Sequence, residues 1–146
     1  MIAHIDHINI VVSNLKSATA FFTDHLGFTE TKSGYLEGKW ISEVVGLDGV
    51  KAHYVQLSLP EGGTNLELIC YHNPAGLPDA QVSEANGQGL RHMALRVTQI
   101  ETHYERLALS GISIFSEIRV YNEHKKLFYF LGPEGVIIEL CEYDDF

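Results

Sequence analysis

An internal repeat limits what this chain can fold into more than any other feature. Residues 6–28 read DHINIVVSNLKSATAFFTDHLGF, and residues 91–113 read RHMALRVTQIETHYERLALSGIS. Aligning His7 with His92 brings a strand-like run, a helix-like run and a glycine into matching order. Repetition at this spacing predicts two copies of one small module, each placing its residues in equivalent positions.

The two halves also end alike, with LPEGGTNLELICY at residues 59–71 and GPEGVIIELCEY at residues 132–143. In both, Pro-Glu-Gly predicts a turn, and the alternating run that follows predicts a strand with a central glutamate. Each half is therefore predicted to form a strand, a helix and three further strands. The expected fold class is α+β, with two βαβββ modules forming a cupped mixed sheet and helices on the outer faces.

The pattern also predicts where each module begins and ends. The first module is expected at residues 1–73, a Pro-, Gly- and Asn-rich linker at 74–89, and the second module at 90–146. A helix is predicted from about Asn14 to Leu26, with Ser13 or Asn14 as N-cap and Gly27 after its end. A second helix is predicted from about Gln99 to Leu109, with Thr98 and Glu101 as a capping box and Gly111 ending it. The paired closing strands are predicted at 52–59 with 64–71, and at 126–131 with 135–142.

Composition excludes several classes of protein. The chain has 146 residues and a formal net charge of −9, and it contains no basic run, which argues against nucleic-acid binding. No apolar stretch approaches the roughly 20 residues needed to span a bilayer, so no membrane partner is expected. Cys70 and Cys141 form no disulfide framework, and the first residues lack a secretory signal. A cytoplasmic location is the expectation.

Strand alternation separates the apolar residues from four polar ones. In the opening strands, the apolar residues are expected to pack against the helices. His7 and His92 lie on the opposite face of these strands. In the closing strands, Glu67 and Glu139 are flanked by leucine and isoleucine in the same way. A single such residue is more often a solvent-facing strand residue. Four at equivalent places in four related strands favour a common ligand set.

Two imidazoles and two carboxylates suit a divalent metal ion such as Zn, Ni, Co, Mn or Fe. The carboxylates neutralise a dication, and the imidazoles bind it without adding charge. A metal ion on a carbonyl oxygen stabilises the enolate formed when a neighbouring carbon loses a proton. The sequence thus predicts His7, Glu67, His92 and Glu139 as metal ligands for chemistry on a small carbonyl compound.

At these motifs, together with NLELICY and GLRHMALRV, the chain resembles the vicinal oxygen chelate superfamily over its whole length. That superfamily includes glyoxalase I, methylmalonyl-CoA epimerase, extradiol dioxygenases and antibiotic-resistance binding proteins. The resemblance implies that Glu139 is the general base and that Glu67 serves the opposite face of the substrate. It also implies a homodimer. Residues 35–51 lack glutathione-recognition residues and are similar to a loop-and-helix insertion of relatives.

The intact ligand set favours a metal-dependent lyase, isomerase or epimerase, lactoylglutathione lyase-like or epimerase-like, acting on a small α-oxo or α-hydroxy carbonyl compound. Two alternatives are an extradiol-type metal-dependent dioxygenase and a metal-free protein that binds a small molecule such as an antibiotic. Further pocket residues that contact the substrate are expected to be His53, Asn65, Arg96 and Tyr121.

Overall fold

The computed structural model describes residues 1–144. The chain divides into two compact units, Met1–Pro78 and Asp79–Phe146. Among the residues described, no helix is long and apolar enough to cross a bilayer. The longest of the helices has 12 residues.

The first unit contains one four-stranded mixed sheet and two helices. Its elements are β1 (His7–Val11), α1 (Leu15–Leu26), β2 (Thr29–Glu37), α2 (Lys39–Val45), β3 (Lys51–Ser58) and β4 (Asn65–Asn73). The strand order is β1-β4-β3-β2. β1 and β4 are parallel, and the other pairs are antiparallel.

The second unit repeats this topology with shorter elements. They are β5 (His92–Arg96), α3 (Ile100–Leu109), β6 (Arg119–Tyr121), β7 (Lys125–Leu131) and β8 (Ile137–Tyr143). The order is β5-β8-β7-β6, with β5 parallel to β8. A 3-10 turn at Pro133–Gly135 joins β7 to β8. The predicted α+β class with two βαβββ modules is confirmed.

The predicted caps of α1 are confirmed. The Asn14 side chain accepts a hydrogen bond from the Ser17 backbone N–H at 3.0 Å. Gly27 follows the last turn with φ 73°, the left-handed conformation that glycine adopts without a steric cost. Both signals are local in sequence, which is why the pattern alone located this helix.

The predicted capping box of α3 is wrong. Gln99 occupies the N-cap position with φ 58°, and no side chain of its own segment caps the helix. Instead, the Glu142 carboxylate on β8 accepts hydrogen bonds from the backbone N–H groups of Gln99 and Ile100. Glu101, the proposed partner in the box, pairs with Lys126 at 2.6 Å. A carboxylate from a distant strand therefore satisfies the open end of this helix.

In each unit, one face of the sheet packs on a long helix. Phe22 of α1 is fully buried, and α1 contacts β3 and β4. In the second unit, Tyr104 of α3 packs edge-on against Phe128 of β7, with ring centroids 5.1 Å apart. The fully buried helix residues Ile100 and Leu107 complete this layer. Strand residues at the alternate positions therefore project from the face of each sheet that is opposite its long helix.

α2 belongs to the segment for which the sequence suggested a loop-and-helix insertion. Its one buried residue, Ile41, packs with Val50, Ala52 and Ile69. Ile69 is two residues from Glu67 on β4, so both side chains lie on the same face of the sheet. α2 therefore covers part of the face that carries Glu67, at the end of the sheet away from β1 residue His7.

Candidate functional site

In the first unit, His7 and Glu67 lie on adjacent parallel strands. The register pairs His7 with Asn65 and Asn9 with Glu67. Because paired residues of neighbouring strands share a face, all four side chains project on the side opposite α1. The Nε2 atom of His7 is 3.9 Å from Oε1 of Glu67.

Two polar neighbours orient this pair. The Asn9 side-chain amide donates a hydrogen bond to Glu67 Oε1 at 2.9 Å. Asp6 Oδ2 lies 2.8 Å from His7 Nδ1, and this contact lowers the pKa of the Asp6 carboxyl. In metal-binding histidines, a carboxylate commonly accepts a hydrogen bond from one ring nitrogen, and the other nitrogen binds the metal. In His7 the nitrogen that does not contact Asp6 is Nε2.

The second unit places His92 and Glu139 with the same register. His92 pairs with Ile137, and Ala94 pairs with Glu139, so the glutamate again faces the residue two beyond the histidine. His92 Nε2 is 3.3 Å from Glu139 Oε2. The repeat detected in the sequence is thus repeated in the geometry of the two His–Glu pairs.

Glu139 is the more buried of the two glutamates, with 5% of its side chain exposed against 23% for Glu67. The Lys125 ammonium lies 2.7 Å from Glu139 Oε1, and this contact raises the pKa of Lys125. The Tyr129 ring lies beside His92, with centroids 5.0 Å apart. Burial and the nearby Glu139 charge raise the pKa of the Tyr129 phenol.

Both pairs have the donor types that a divalent metal ion binds in proteins. Two ligands about 2.1 Å from a tetrahedral ion lie about 3.4 Å from each other. The observed separations are 3.9 Å for His7 and Glu67 and 3.3 Å for His92 and Glu139. Within either unit, the described residues add no third histidine, cysteine or carboxylate that completes a site. Each unit therefore places one histidine beside one glutamate, and a site formed by all four residues stays a prediction.

Three of the predicted substrate contacts share a face with their unit's glutamate. Asn65 is two residues before Glu67 on β4. Arg96 lies on the His92 face of β5, and its guanidinium lies 5.3 Å from the centre of the Tyr143 ring. Tyr121 pairs with Lys125 in the register of β6 and β7, which puts both on the Glu139 face.

His53 lies elsewhere. It pairs with Cys70, whereas Gln56 pairs with Glu67, so His53 is on the opposite face from Glu67. There His53 Nδ1 is 3.1 Å from His72 Nε2, and its ring lies against Tyr35. His53 and Tyr35 border an open groove of about 720 Å³ between α1 and strands β2 and β3. A substrate contact from His53 stays a prediction.

Sequence reasoning overlooked three residues that contact the candidate ligands: Asp6, Asn9 and Lys125. Asp6 directly precedes His7, and Asn9 lies two residues after His7 on the same face of β1, so the proximity of both to His7 was readable from the motif DHIN. Lys125 carried a weaker signal. It has the same strand parity as Tyr129, but the β7–β8 register pairs it with Tyr143, and only the side-chain contact shows that its ammonium reaches Glu139.

Two βαβββ modules, each with one His–Glu pair on the sheet face away from its long helix, define the class of this protein. Residues 4–140 match the Glyoxalase/Bleomycin resistance protein/Dioxygenase superfamily. The chain belongs to this superfamily.

Individual proteins are similar to this chain over most of their length. An uncharacterized protein of Bacillus subtilis, YqjC, is 27% identical over 143 residues, which cover 94% of this chain and 91% of that protein. The crystal structure of a glyoxalase family protein from Bacillus cereus is similar with a TM-score of 0.90 and 26% identity, covering 98% of this chain and 95% of that one. The trypanothione-dependent glyoxalase I of Leishmania major shares the fold, with a TM-score of 0.69, 17% identity and coverage of 96% and 86%.

Proposed function

We propose that this protein is a metal-dependent lyase, isomerase or epimerase that acts on a small α-oxo or α-hydroxy carbonyl compound. His7, Glu67, His92 and Glu139 would together bind one divalent ion, from one chain or from two chains of a dimer. The observation that carries the proposal is the identical His-to-Glu register in the two repeated units. Membership of a superfamily that includes glyoxalases supports it.

When bound, the ion supplies Lewis acidity for substrate oxygens. The side chains do the remaining work. Through Oε2, Glu139 would leave the ion and take the proton from the carbon beside the carbonyl, and Glu67 would serve the opposite face of that carbon, as an epimerisation requires. Asp6 and Asn9 orient His7 and Glu67. Asn65, Arg96 and Tyr121 contact the remainder of the substrate. Zn, Ni, Co, Mn and Fe are the candidate ions.

The first test is metal content, measured by elemental mass spectrometry on untagged wild type, His7→Ala and His92→Ala. We expect one ion per set of four ligands in wild type and its loss in both variants. His25→Ala, at the end of α1, is the matched control and should retain the ion. A wild type that takes up none of the candidate metals would exclude the proposal.

The second test addresses the base. Glu139→Gln keeps the size and the hydrogen-bonding capacity of the side chain but removes its basicity. We expect turnover of a reactive α-oxo substrate to fall by about 100-fold or more. Retained turnover in this variant would contradict the role of Glu139.

One observation favours a second candidate, a metal-free small-molecule binding protein. The Lys125 ammonium balances the charge of buried Glu139 without an ion. The metal assay separates the two functions, because a binding protein of this kind would contain no stoichiometric metal in any preparation. A dioxygenase has no comparable support in the geometry. Oxygen uptake with catechols would revive it.

A further inference from the structure

We propose that Lys125 is a positioning residue that fixes Glu139 as a one-oxygen ligand. The ammonium forms an ion pair with Oε1, and Oε2 is the oxygen that faces His92. This inference rests on the proposed function. It adds a residue that neither the ligand pattern nor the family assignment identifies.

The contact is close and largely removed from solvent. Lys125 Nζ lies 2.7 Å from Glu139 Oε1, with 21% of the lysine side chain and 5% of the glutamate side chain exposed. The ammonium also lies 5.4 Å from the centre of the Tyr143 ring, which gives it a second favourable contact. A pair this well enclosed holds its geometry better than an exposed surface ion pair does.

The glutamate's two oxygens therefore have different partners. Oε1 has the lysine, and Oε2 lies 3.3 Å from His92 Nε2. A carboxylate with one oxygen in an ion pair presents a single oxygen to a metal ion. Such outer partners orient ligands, and their loss usually weakens metal binding by about 10- to 100-fold.

The first unit has no equivalent of Lys125. Lys125 is four residues before Tyr129, the β7 residue that pairs with Glu139. Four residues before Gln56, the β3 partner of Glu67, lies Ala52, which is fully buried. Glu67 instead accepts a hydrogen bond from the neutral Asn9 amide. The lysine is therefore specific to Glu139 and is not a general feature of the module.

The test compares Zn²⁺ affinity, measured by calorimetry, in wild type, Lys125→Met and Lys125→Arg. Methionine keeps the length and the apolar stem but removes the ammonium, so we expect affinity to fall by about 10- to 100-fold. Arginine retains a cation that reaches Oε1 and should restore most of the loss. The visible spectrum of the Co²⁺-substituted protein should change in the Met variant, because Glu139 no longer offers a single fixed oxygen.

Lys126→Met is the matched control. Lys126 is the next residue of β7, projects on the opposite face and pairs with Glu101 on α3. It should leave Zn²⁺ affinity and the Co²⁺ spectrum unchanged. If Lys125→Met does not fold, Lys125→Gln replaces it, since the shorter neutral amide is not expected to reach Oε1 and should show the same loss.

Three results would overturn the inference, and they are distinguishable. Unchanged affinity in Lys125→Met would show that the lysine does not orient the ligand. Tighter binding would show that the ammonium acts only as a charge that repels the ion. A wild type that binds no metal would overturn the proposed function itself, and the positioning role with it.

Discussion

Burial and the charge of the neighbouring group distinguish the two candidate ligand pairs at the residue scale. Glu67 is partly exposed and is held by the neutral amide of Asn9. Glu139 is nearly fully buried and is held by the cation of Lys125. A buried carboxylate without a partner is costly, so Glu139 requires a cation next to it whether or not an ion is bound.

A titration prediction concerns His103 on α3. Partial burial and the nearby Arg106 guanidinium, whose Nη2 lies 3.1 Å from His103 Nδ1, lower its pKa below the usual 6.5. The unfolded chain therefore binds the proton first as the pH falls. The neutral His103 ring therefore contributes to folding stability above about pH 6.5. That contribution is lost as the pH falls through the lowered pKa of His103 in the folded protein.

NMR titration of the His103 ring checks this prediction. We expect a pKa below 6.5 in wild type and a value closer to 6.5 in Arg106→Gln, where one cause of the shift is removed. An unchanged His103 pKa in that variant would exclude the guanidinium as a cause.

At the element scale, the two long helices are capped by different means. α1 has its cap within its own segment, at Asn14, whereas α3 takes its cap from Glu142 on β8. Local sequence predicted the first correctly and the second wrongly. The reason is that Glu142 is 43 positions from Gln99 in the chain, so no local pattern connects the two residues.

Substitutions at the caps test this difference. Asn14→Ala and Glu142→Ala should each lower the free energy of unfolding by about 1 kcal/mol, because each leaves helix N–H groups without an acceptor. Thr98→Ala should have almost no effect, since Thr98 does not cap α3. Urea denaturation measures all three, and a large effect of Thr98→Ala would contradict the observed cap.

The two Pro-Glu-Gly turns provide a matched pair of glycines. Gly62 and Gly135 have φ of 81° and 78°, so alanine is strained at both. A Cβ atom on Gly62 would meet nothing within 4 Å, whereas one on Gly135 would lie 2.3 Å from Ser83 Oγ. Ser83 also donates a hydrogen bond to the Gly135 carbonyl at 2.9 Å.

We therefore expect Gly62→Ala to cost about 1 kcal/mol and Gly135→Ala about 1–3 kcal/mol more. Thermal denaturation of both variants under the same conditions gives the comparison. Equal losses of stability would mean that Ser83 moves away from the new Cβ atom without an energetic cost. Backbone strain alone would then account for the destabilisation in both variants.

At the scale of the whole molecule, an exposed apolar segment is the feature that bears on assembly. The side chains of Trp40, Val44 and Leu47 on α2 and the following turn are 57%, 72% and 42% exposed. Apolar groups of this size on one short segment are typical of an interaction surface. The expected homodimer gives such a surface a role.

Sedimentation equilibrium tests the expectation of a dimer. The mass should be twice the 16.3 kDa of the chain at micromolar concentration. A single species of 16.3 kDa throughout the concentration range would contradict it. In that case a shared site across two chains would also be excluded.

The sequence by itself determined the repeat, the order of the strands and helices, the faces of β1, β4, β5 and β8, and the four candidate ligands. These follow from local periodicity and turn chemistry, which act over a few residues. Only the tertiary structure decided the partners of those residues. Lys125 beside Glu139, Glu142 at the start of α3 and Ile41 over β4 are contacts between elements. They depend on strand register and on helix packing, which bring together residues far apart in the chain.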